Sequence, residues 1–426
     1  MRPRALYSRR PVRRTPSVAC PCLPFPLPAR LMSRQRPAIT TSDFYDWFST
    51  LPDAVNEDRL RLRRFMSEEW EPQANGFWER AEFPREYLIA RMKELDLLRE
   101  AYTPARAPMA TIGDGLLSME FARVDPSLAT FFGVHAGLCM GSIALCGSAE
   151  QQEEWLPRMR SWDVMGAFGL TEPDVGSGVA RGLTTTCRRE GDTWILNGQK
   201  KWIGNSTWCD IVVIWARDEA DQKVKGFIVR TALPGYSAEM MQGKIAQRTV
   251  HNGLITLRDV RVAERDRLQE AHSFADTQRV LVTARCGTAW QGVGCAMGAY
   301  EYALRYAGER TQFGKPIAGF QLVQNMLVKM LGNVTAMIGL ALRASELQDR
   351  LGPRDELSAL AKQFCAAKCR ETVALARESL GGNGVLLEYH VARLFADAEA
   401  IYSYEGSNEV NTMIVGRAIT GHSAFV

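Results

Sequence analysis

The spacing of apolar residues changes twice along this chain, and the order of those changes restricts the fold more than any single motif does. From Asp43 to about Arg160 apolar residues recur at the three- and four-residue steps of a buried helix face: Leu60, Phe65 and Met66, then Tyr87, Leu88, Met92, Leu95 and Leu98. Ser148-Ala149-Glu150-Gln151 reads as a capping box opening another helix. Between about Ala167 and Leu268 the period is that of strands. Trp194-Ile195-Leu196 and Lys201-Trp202-Ile203 flank Asn197-Gly198, which predicts a hairpin. Ile211-Val212-Val213-Ile214-Trp215, Gly226-Phe227-Ile228-Val229 and the stretch from Gly253 to Leu257 add further strands, the first two separated by the polar run Asp218 to Lys223. No helical pattern intervenes, so an antiparallel, barrel-like sheet is expected. From about Ser273 to Gly421 long apolar stripes return, one of them Leu322, Met326, Leu327, Met330, Leu331, Val334, Met337 and Ile338. Short polar joins such as Leu351-Gly352-Pro353-Arg354 make neighbouring helices antiparallel and predict a four-helix bundle. The expected fold class is α+β multidomain: an N-terminal α-helical domain over 42–164, a middle antiparallel β-barrel domain over 165–272 and a C-terminal four-helix-bundle domain over 273–426.

Charge sharpens the picture at one end. Nine arginines and no acid precede Asp43, so the formal charge of +4 belongs to this leader and the body is slightly acidic. Residues 1–41 read as a disordered leader or transit-like segment, although the prolines near 21 to 28 oppose an amphipathic helix, and Met32 is a natural alternative start. The expected location is cytoplasmic, or the mitochondrial matrix if the leader is a true transit peptide. Outside the leader no basic run carries interleaved aromatics, so no nucleic-acid surface is expected. No apolar run reads as long enough for a membrane span. The ten cysteines are scattered, with Cys20/Cys22 and Cys365/Cys369 the only close pairs, and the five histidines form no cluster. A metal site, and with it a metal-dependent hydrolase, is therefore not expected, and the thiols read as reduced. Gly113-Asp114-Gly115 lacks a preceding strand and a third glycine, so it is not a dinucleotide fingerprint.

Two stretches carry chemistry: Tyr404-Glu405-Gly406-Ser407-Asn408 and Phe168-Gly169-Leu170-Thr171-Glu172-Pro173. A lone glutamate between an aromatic residue and a glycine suits a carboxylate against an apolar wall, where desolvation raises its pKa toward the range of a general base. The same residues also suit a helix N-terminal carboxylate followed by a loop glycine. With Lys201-Trp202-Ile203, Arg310-Thr311-Gln312-Phe313-Gly314, Leu380-Gly381-Gly382-Asn383-Gly384 and Gly416-Arg417, these stretches lie in register with the predicted elements. On them, from about residue 43 to the end, the chain resembles the acyl-CoA dehydrogenase family. The run from Gly198 to Ser206 and the ending Gly416 to Gly421 resemble most its glutaryl-CoA dehydrogenase and plant-type short-chain acyl-CoA oxidase branch.

The resemblance implies that Glu405 is the base that removes the α-proton of an acyl-CoA while the β-hydrogen leaves as hydride to FAD, giving the trans-2-enoyl thioester. It places Phe168, Gly169, Leu170, Thr171, Gly176, Ser177, Trp202, Ile203, Gly204 and Ser407 at the FAD. It places Arg310, Phe313, Gln321, Leu380, Gly381 and Gly382 at the FAD of a neighbouring subunit, which implies a homotetramer. Ser177, Ala129, Thr130, Arg285 and Gly406 fall on the substrate side. Taken singly, each has a structural alternative: Thr171 and Ser177 as turn residues, Trp202 and Phe313 as core aromatics, Arg310 and Arg285 as surface charges, the glycines after Leu380 as a helix cap. Glutaryl-CoA dehydrogenases carry an arginine for the distal carboxylate where this chain has Ala129, and a buried carboxylate without a cation is costly. A short, uncharged acyl chain and no decarboxylation are therefore expected. Gly178 and Ser407 replace the family's usual aspartate and threonine. The implied electron acceptor is an electron-transfer flavoprotein. The alternatives are an acyl-CoA oxidase that passes electrons to O2 with release of H2O2, a glutaryl-CoA dehydrogenase, or an inactive flavin- or CoA-binding assembly factor. The ending Ala424-Phe425-Val426 is not a peroxisomal signal, which favours the dehydrogenase over the oxidase.

Overall fold

The computed structural model describes residues 41–425, so the expectations for the leader up to residue 40, including Cys20, Cys22 and Met32, lie outside the described residues. The first part of the chain is helical: α1 (Asp53–Arg64), α2 (Glu71–Arg80), α3 (Arg85–Leu95), α4 (Ala110–Val124), α5 (Pro126–Gly133), α6 (Gly141–Cys146) and α7 (Ala149–Arg160). Gly113-Asp114-Gly115 lies inside α4. α7 opens on a capping box, with the Ser148 hydroxyl accepting from Gln151 N and the Gln151 side chain accepting from Ser148 N. Of the expected helix face, Phe65, Met66, Leu88, Met92, Leu95 and Leu98 are buried, but Leu60 is exposed and Leu62 is the buried leucine of α1.

The middle of the chain forms one curled sheet from β1 (Gly166–Gly169), β2 (Thr186–Glu190), β3 (Thr193–Gly204), β4 (Ile211–Asp218), β5 (Val224–Arg230), β6 (Tyr236–Met240) and β7 (Asn252–Ala263). The strand order is β1-β4-β2-β3-β7-β6, with β5 paired to β4. Two expectations need correction. The sheet is mixed, because β4 runs parallel to both β1 and β2; the loop after β1, with its single turn α8 (Val179–Gly182), carries the chain away before β2 begins. Asn197-Gly198 does not turn the chain but lies inside β3, which pairs with β7 on both sides of a register shift there. Asn197 is held across the sheet by Asp259, donating to its Oδ1 at 2.9 Å and accepting from its N–H at 2.8 Å. Gly198 has φ 142°, and a Cβ there would fall 2.6 Å from Thr185 Oγ1. The dipeptide makes a bulge; the chain turns instead at Gly191-Asp192, between β2 and β3.

Helices return as α9 (Phe274–Glu309), α10 (Gln321–Leu351), α11 (Asp355–Ser379), α12 (Val391–Ser403) and α13 (Asn408–Thr420). α11 is central, touching α9, α10, α12 and α13. Contrary to expectation, two helical stretches, 126–146 and 321–351, are long and apolar enough to cross a membrane by length and composition. The first is mostly buried, and the second is a bundle helix that leaves Leu322 and Val328 exposed.

The bundle is joined to the first helices along α4 and α9. A Cβ added at Gly298 would lie 1.9 Å from Arg123 O, and one at Gly294 2.1 Å from Met119 O, so the two backbones touch. Arg59, Arg63 and Arg123 lace the same seam to Glu120 and Glu301. Gly298→Ala is expected to lower stability by about 3 kcal/mol, the upper part of the range for forced overpacking. The check is a denaturant midpoint that falls with an unchanged slope; an unmoved midpoint would mean that the helices are not held this close.

Candidate active site

Only four residues separate α12 from α13, and the chain reverses through two left-handed residues, Glu405 at φ 55° and Gly406 at φ 81°. Glycine adopts this conformation freely, whereas for glutamate it costs on the order of 1 kcal/mol, so the surroundings must hold it. Asn411 Nδ2 donates to Gly406 O at 2.8 Å and Ser407 O at 3.1 Å. Lys362 Nζ, from α11, donates to Tyr402 O at 2.9 Å and Gly406 O at 2.8 Å. The residue that caps α13 is Ser407, whose hydroxyl accepts from Val410 N at 3.3 Å, so Glu405 is not a capping carboxylate. Its Oε2 is buried with no hydrogen-bond partner. Burial pushes the Glu405 pKa up, and Arg285 and Lys362 oppose that push without cancelling it. A buried carboxylate oxygen with a free lone pair and a raised pKa is suited to accept a proton from carbon.

Around this turn lies a directed series of neutral hydrogen bonds. The Thr130 hydroxyl donates to Gln247 Oε1 at 2.8 Å, and Gln247 Nε2 donates to the Tyr404 hydroxyl at 3.2 Å. The Tyr404 hydroxyl donates to Gln291 Oε1, and Gln291 Nε2 reaches back to Ala129 O at 3.4 Å. The series starts and ends on α5 and passes through β-domain and bundle residues on the way. Ala129 is buried, and the group beside its backbone is an uncharged amide. Arg285 is not a surface charge: it is buried on α9 and ion-paired with Asp355.

The second face is built from the ends of β1 and β3. Thr171 O accepts from Lys201 N at 2.8 Å, which lays the stretch containing Phe168, Gly169, Leu170 and Thr171 beside the one containing Trp202, Ile203 and Gly204. Underneath, Lys200 Nζ meets Glu172 Oε1 at 2.9 Å, both residues buried, and also donates to Leu170 O at 3.0 Å. Glu172 further accepts from Thr184 N, the Thr184 hydroxyl and Thr185 N at 2.6–2.8 Å. Burial works against its charge, but Lys200 and these donors win and hold its pKa well below the usual carboxylate range. Trp202 has φ 67° and is 54% exposed, so it is not a core aromatic. Gly176 and Ser177 lie exposed in the loop after β1. Two residues beyond Ile203, Asn205 Nδ2 donates to Phe131 O at 3.1 Å. The Trp202 face and the Glu405 face are thus both tied to α5, at adjacent residues Phe131 and Thr130.

Other expected residues are not brought here. Arg310 follows the far end of α9, about 37 Å along the helix axis from Arg285 at 1.5 Å per residue. Arg310, Phe313 and Gln321 are exposed, Phe313 at 93% with φ 52°. Leu380 is buried at the end of α11, while Gly381 and Gly382 are exposed. Sequence reasoning passed over Lys362, Gln247 and Gln291. Lys362 left a trace, a charge at helical spacing from Ser358, Cys365 and Cys369 on an otherwise uncharged stripe; Gln291 left a similar one between Trp290 and Val293. Among the described residues no group of three or more His, Cys, Asp or Glu side chains is placed to hold a metal ion.

Family models described as the acyl-CoA dehydrogenase N-terminal, middle and C-terminal domains match residues 56–163, 167–260 and 274–420. The caffeyl-CoA reductase-Etf complex subunit CarC of Acetobacterium woodii is 32% identical over 348 residues, 79% of this chain and 90% of that protein. A crystal structure of glutaryl-CoA dehydrogenase from Mycobacterium smegmatis superposes with a TM-score of 0.85 at 35% identity, covering 89% of this chain and 98% of that one. A glutaryl-CoA dehydrogenase from the same organism in complex with FADH2 gives 0.84 at 31% identity, covering 90% and 98%.

Proposed function

The chain belongs to the acyl-CoA dehydrogenase family, and on that premise we propose that it is an FAD-dependent dehydrogenase of short, uncharged acyl-CoA thioesters with Glu405 as its base. The observation that carries this reading is the unpartnered, buried Glu405 Oε2 in a left-handed turn held from three sides. The exposed Trp202 beside the open ends of β1 and β3 fits a planar ring system, and Phe168, Leu170, Thr171, Ile203 and Gly204 would hold it. Bound there, FAD supplies the hydride acceptor.

In the proposed reaction the Glu405 carboxylate takes the α-proton. The Glu405 backbone N–H donates to no acceptor among the described residues and is left for the thioester oxygen as charge develops on it. The neutral hydrogen-bond series around Tyr404 sets an uncharged amide beside Ala129, which supports a short uncharged chain over one with a distal carboxylate. Because burial raises the Glu405 pKa, kcat/KM is expected to rise with pH through a value above the usual 4.5 of a glutamate.

The exposed Phe313, Leu322 and Ile419 support assembly with further copies of the chain, and Arg310, Phe313 and Gln321 are free to reach a neighbour's FAD in a homotetramer. The name of the Acetobacterium relative supports an electron-transfer flavoprotein as the acceptor. The test is anaerobic titration of the flavin-loaded protein with butyryl-, isobutyryl-, 3-phenylpropionyl- and glutaryl-CoA. Bleaching by an uncharged thioester and not by glutaryl-CoA is expected; equal bleaching by glutaryl-CoA with CO2 release would overturn the substrate class. In a separate assay in air, H2O2 formed from O2 with butyryl-CoA and no other acceptor would make the enzyme an oxidase.

A further inference from the structure

We propose that Lys362 is a positioning residue for Glu405: from α11 its ammonium fastens the carbonyls on either side of the base and keeps the turn in the conformation that proton abstraction requires. The inference rests on Glu405 being the base. Lys362 is fully buried on a helix face whose other buried members, Ser358, Ala359, Ala361, Cys365, Ala366 and Cys369, carry no charge. An ammonium is costly in such a place unless its protons are accepted. Two of them are, by Tyr402 O at the end of α12 and by Gly406 O just past Glu405. These two carbonyls bracket the strained residue, so a single donor group spans the whole reversal. Asn411 binds Gly406 O as well, but it belongs to α13 and so does not tie the turn to the body of the bundle.

The charged groups facing Glu405 are Arg285 on α9, already ion-paired with Asp355, and Lys362 on α11; Glu409 on α13 faces Lys362, and the Tyr404 hydroxyl lies alongside. Burial lowers the Lys362 pKa to about 8, opposed by Glu405 and Glu409, so the group stays mostly cationic at neutral pH. Lys362 therefore acts on the base in two separable ways, by holding its backbone and by favouring its ionised form.

The experiment compares Lys362→Met, Lys362→Gln and Lys362→Arg in the flavin-loaded, full-length enzyme. Lys362→Met is expected to lower kcat by about 10²-fold, the scale of a misplacement near 1 Å, with KM and flavin content close to native. The acidic limb of kcat/KM moves to higher pH, because a cation that favours the carboxylate is gone. Lys362→Arg restores the limb, whereas Lys362→Gln keeps a donor without charge and restores part of kcat but not the limb. If the methionine variant does not fold, the Arg and Gln variants still separate charge from hydrogen bonding. A pH profile superimposable on native in all the folded variants, with kcat little changed or lost only in step with flavin and thermal stability, would overturn the proposal. Glu405→Gln separates the two failures: an E405Q enzyme that still turns over removes the base itself, whereas a dead one beside native-like Lys362 variants removes only the positioning role.

Discussion

Glu405→Gln is expected to lower kcat roughly 10⁴-fold, the upper part of what a positioned general base contributes, while leaving flavin binding and stability near native. Glutamine has the same shape and has no carboxylate to take the proton. The turn is held by Asn411, Lys362 and the Ser407 cap through backbone oxygens and the helix N-terminus, none of which involves the Glu405 side chain. A neutral amide also removes the desolvation that raises the carboxylate pKa, so no loss of thermal stability should follow. The Glu405 side chain makes no hydrogen bond to the flavin-assigned residues of β1, β3 and the segments after them, and the Ser407 cap does not involve it, so the variant should still be yellow. Stopped-flow mixing with the best thioester from the panel gives the result directly: flavin bleaching within tenfold of the native rate would remove Glu405 from the chemistry.

Lys200→Met is expected to cost about 3–5 kcal/mol of folding stability, the range for removing one partner of a buried ion pair. The loss comes from what stays behind. Glu172 would keep its burial and its three hydrogen bonds from Thr184 and Thr185 but lose the countercharge at 2.9 Å. In the native protein its pKa is depressed, so its contribution is complete above the usual carboxylate value of 4.5 and is lost as pH falls through the folded one. Without Lys200 burial dominates and raises that pKa, so the variant should lose stability as pH rises toward neutrality, the opposite slope. Urea melts at several pH values would show it, and adding Glu172→Gln should recover part of the loss. An unchanged midpoint would mean that the pair is not buried as described. Because the pair lies under Thr171 and Lys201, reduced flavin retention should accompany the instability.

Much of this site was legible in the sequence because its parts are local. Glu405 between an aromatic and a glycine, the stretch Phe168 to Pro173 and the capping box of α7 each depend on neighbours within a few positions. What was not legible depends on distant partners. Asn197-Gly198 reads as a hairpin until Asp259, some sixty residues on, is seen to hold Asn197 in an extended strand. The parallel pairing of β4 with β1 and β2 follows from the course of the loop after β1, which has no periodicity of its own. Lys362 and Gln291 sit on helix faces that the hydrophobic pattern assigns to core, and their acceptors lie on other helices or loops. Arg310 and Phe313 could be placed on a surface only once α9 was known to run unbroken from Phe274 to Glu309.

The contact between α4 and α9 limits how relatives of this chain can be recombined. Gly294 and Gly298 admit the partner backbone only where Met119 and Arg123 present it, and Glu120, Arg123 and Glu301 must be inherited together for the ions along that line to balance. A chimera with its crossover anywhere between these two helices would draw the halves of one joint from different parents, even when the crossover falls in a loop that looks harmless.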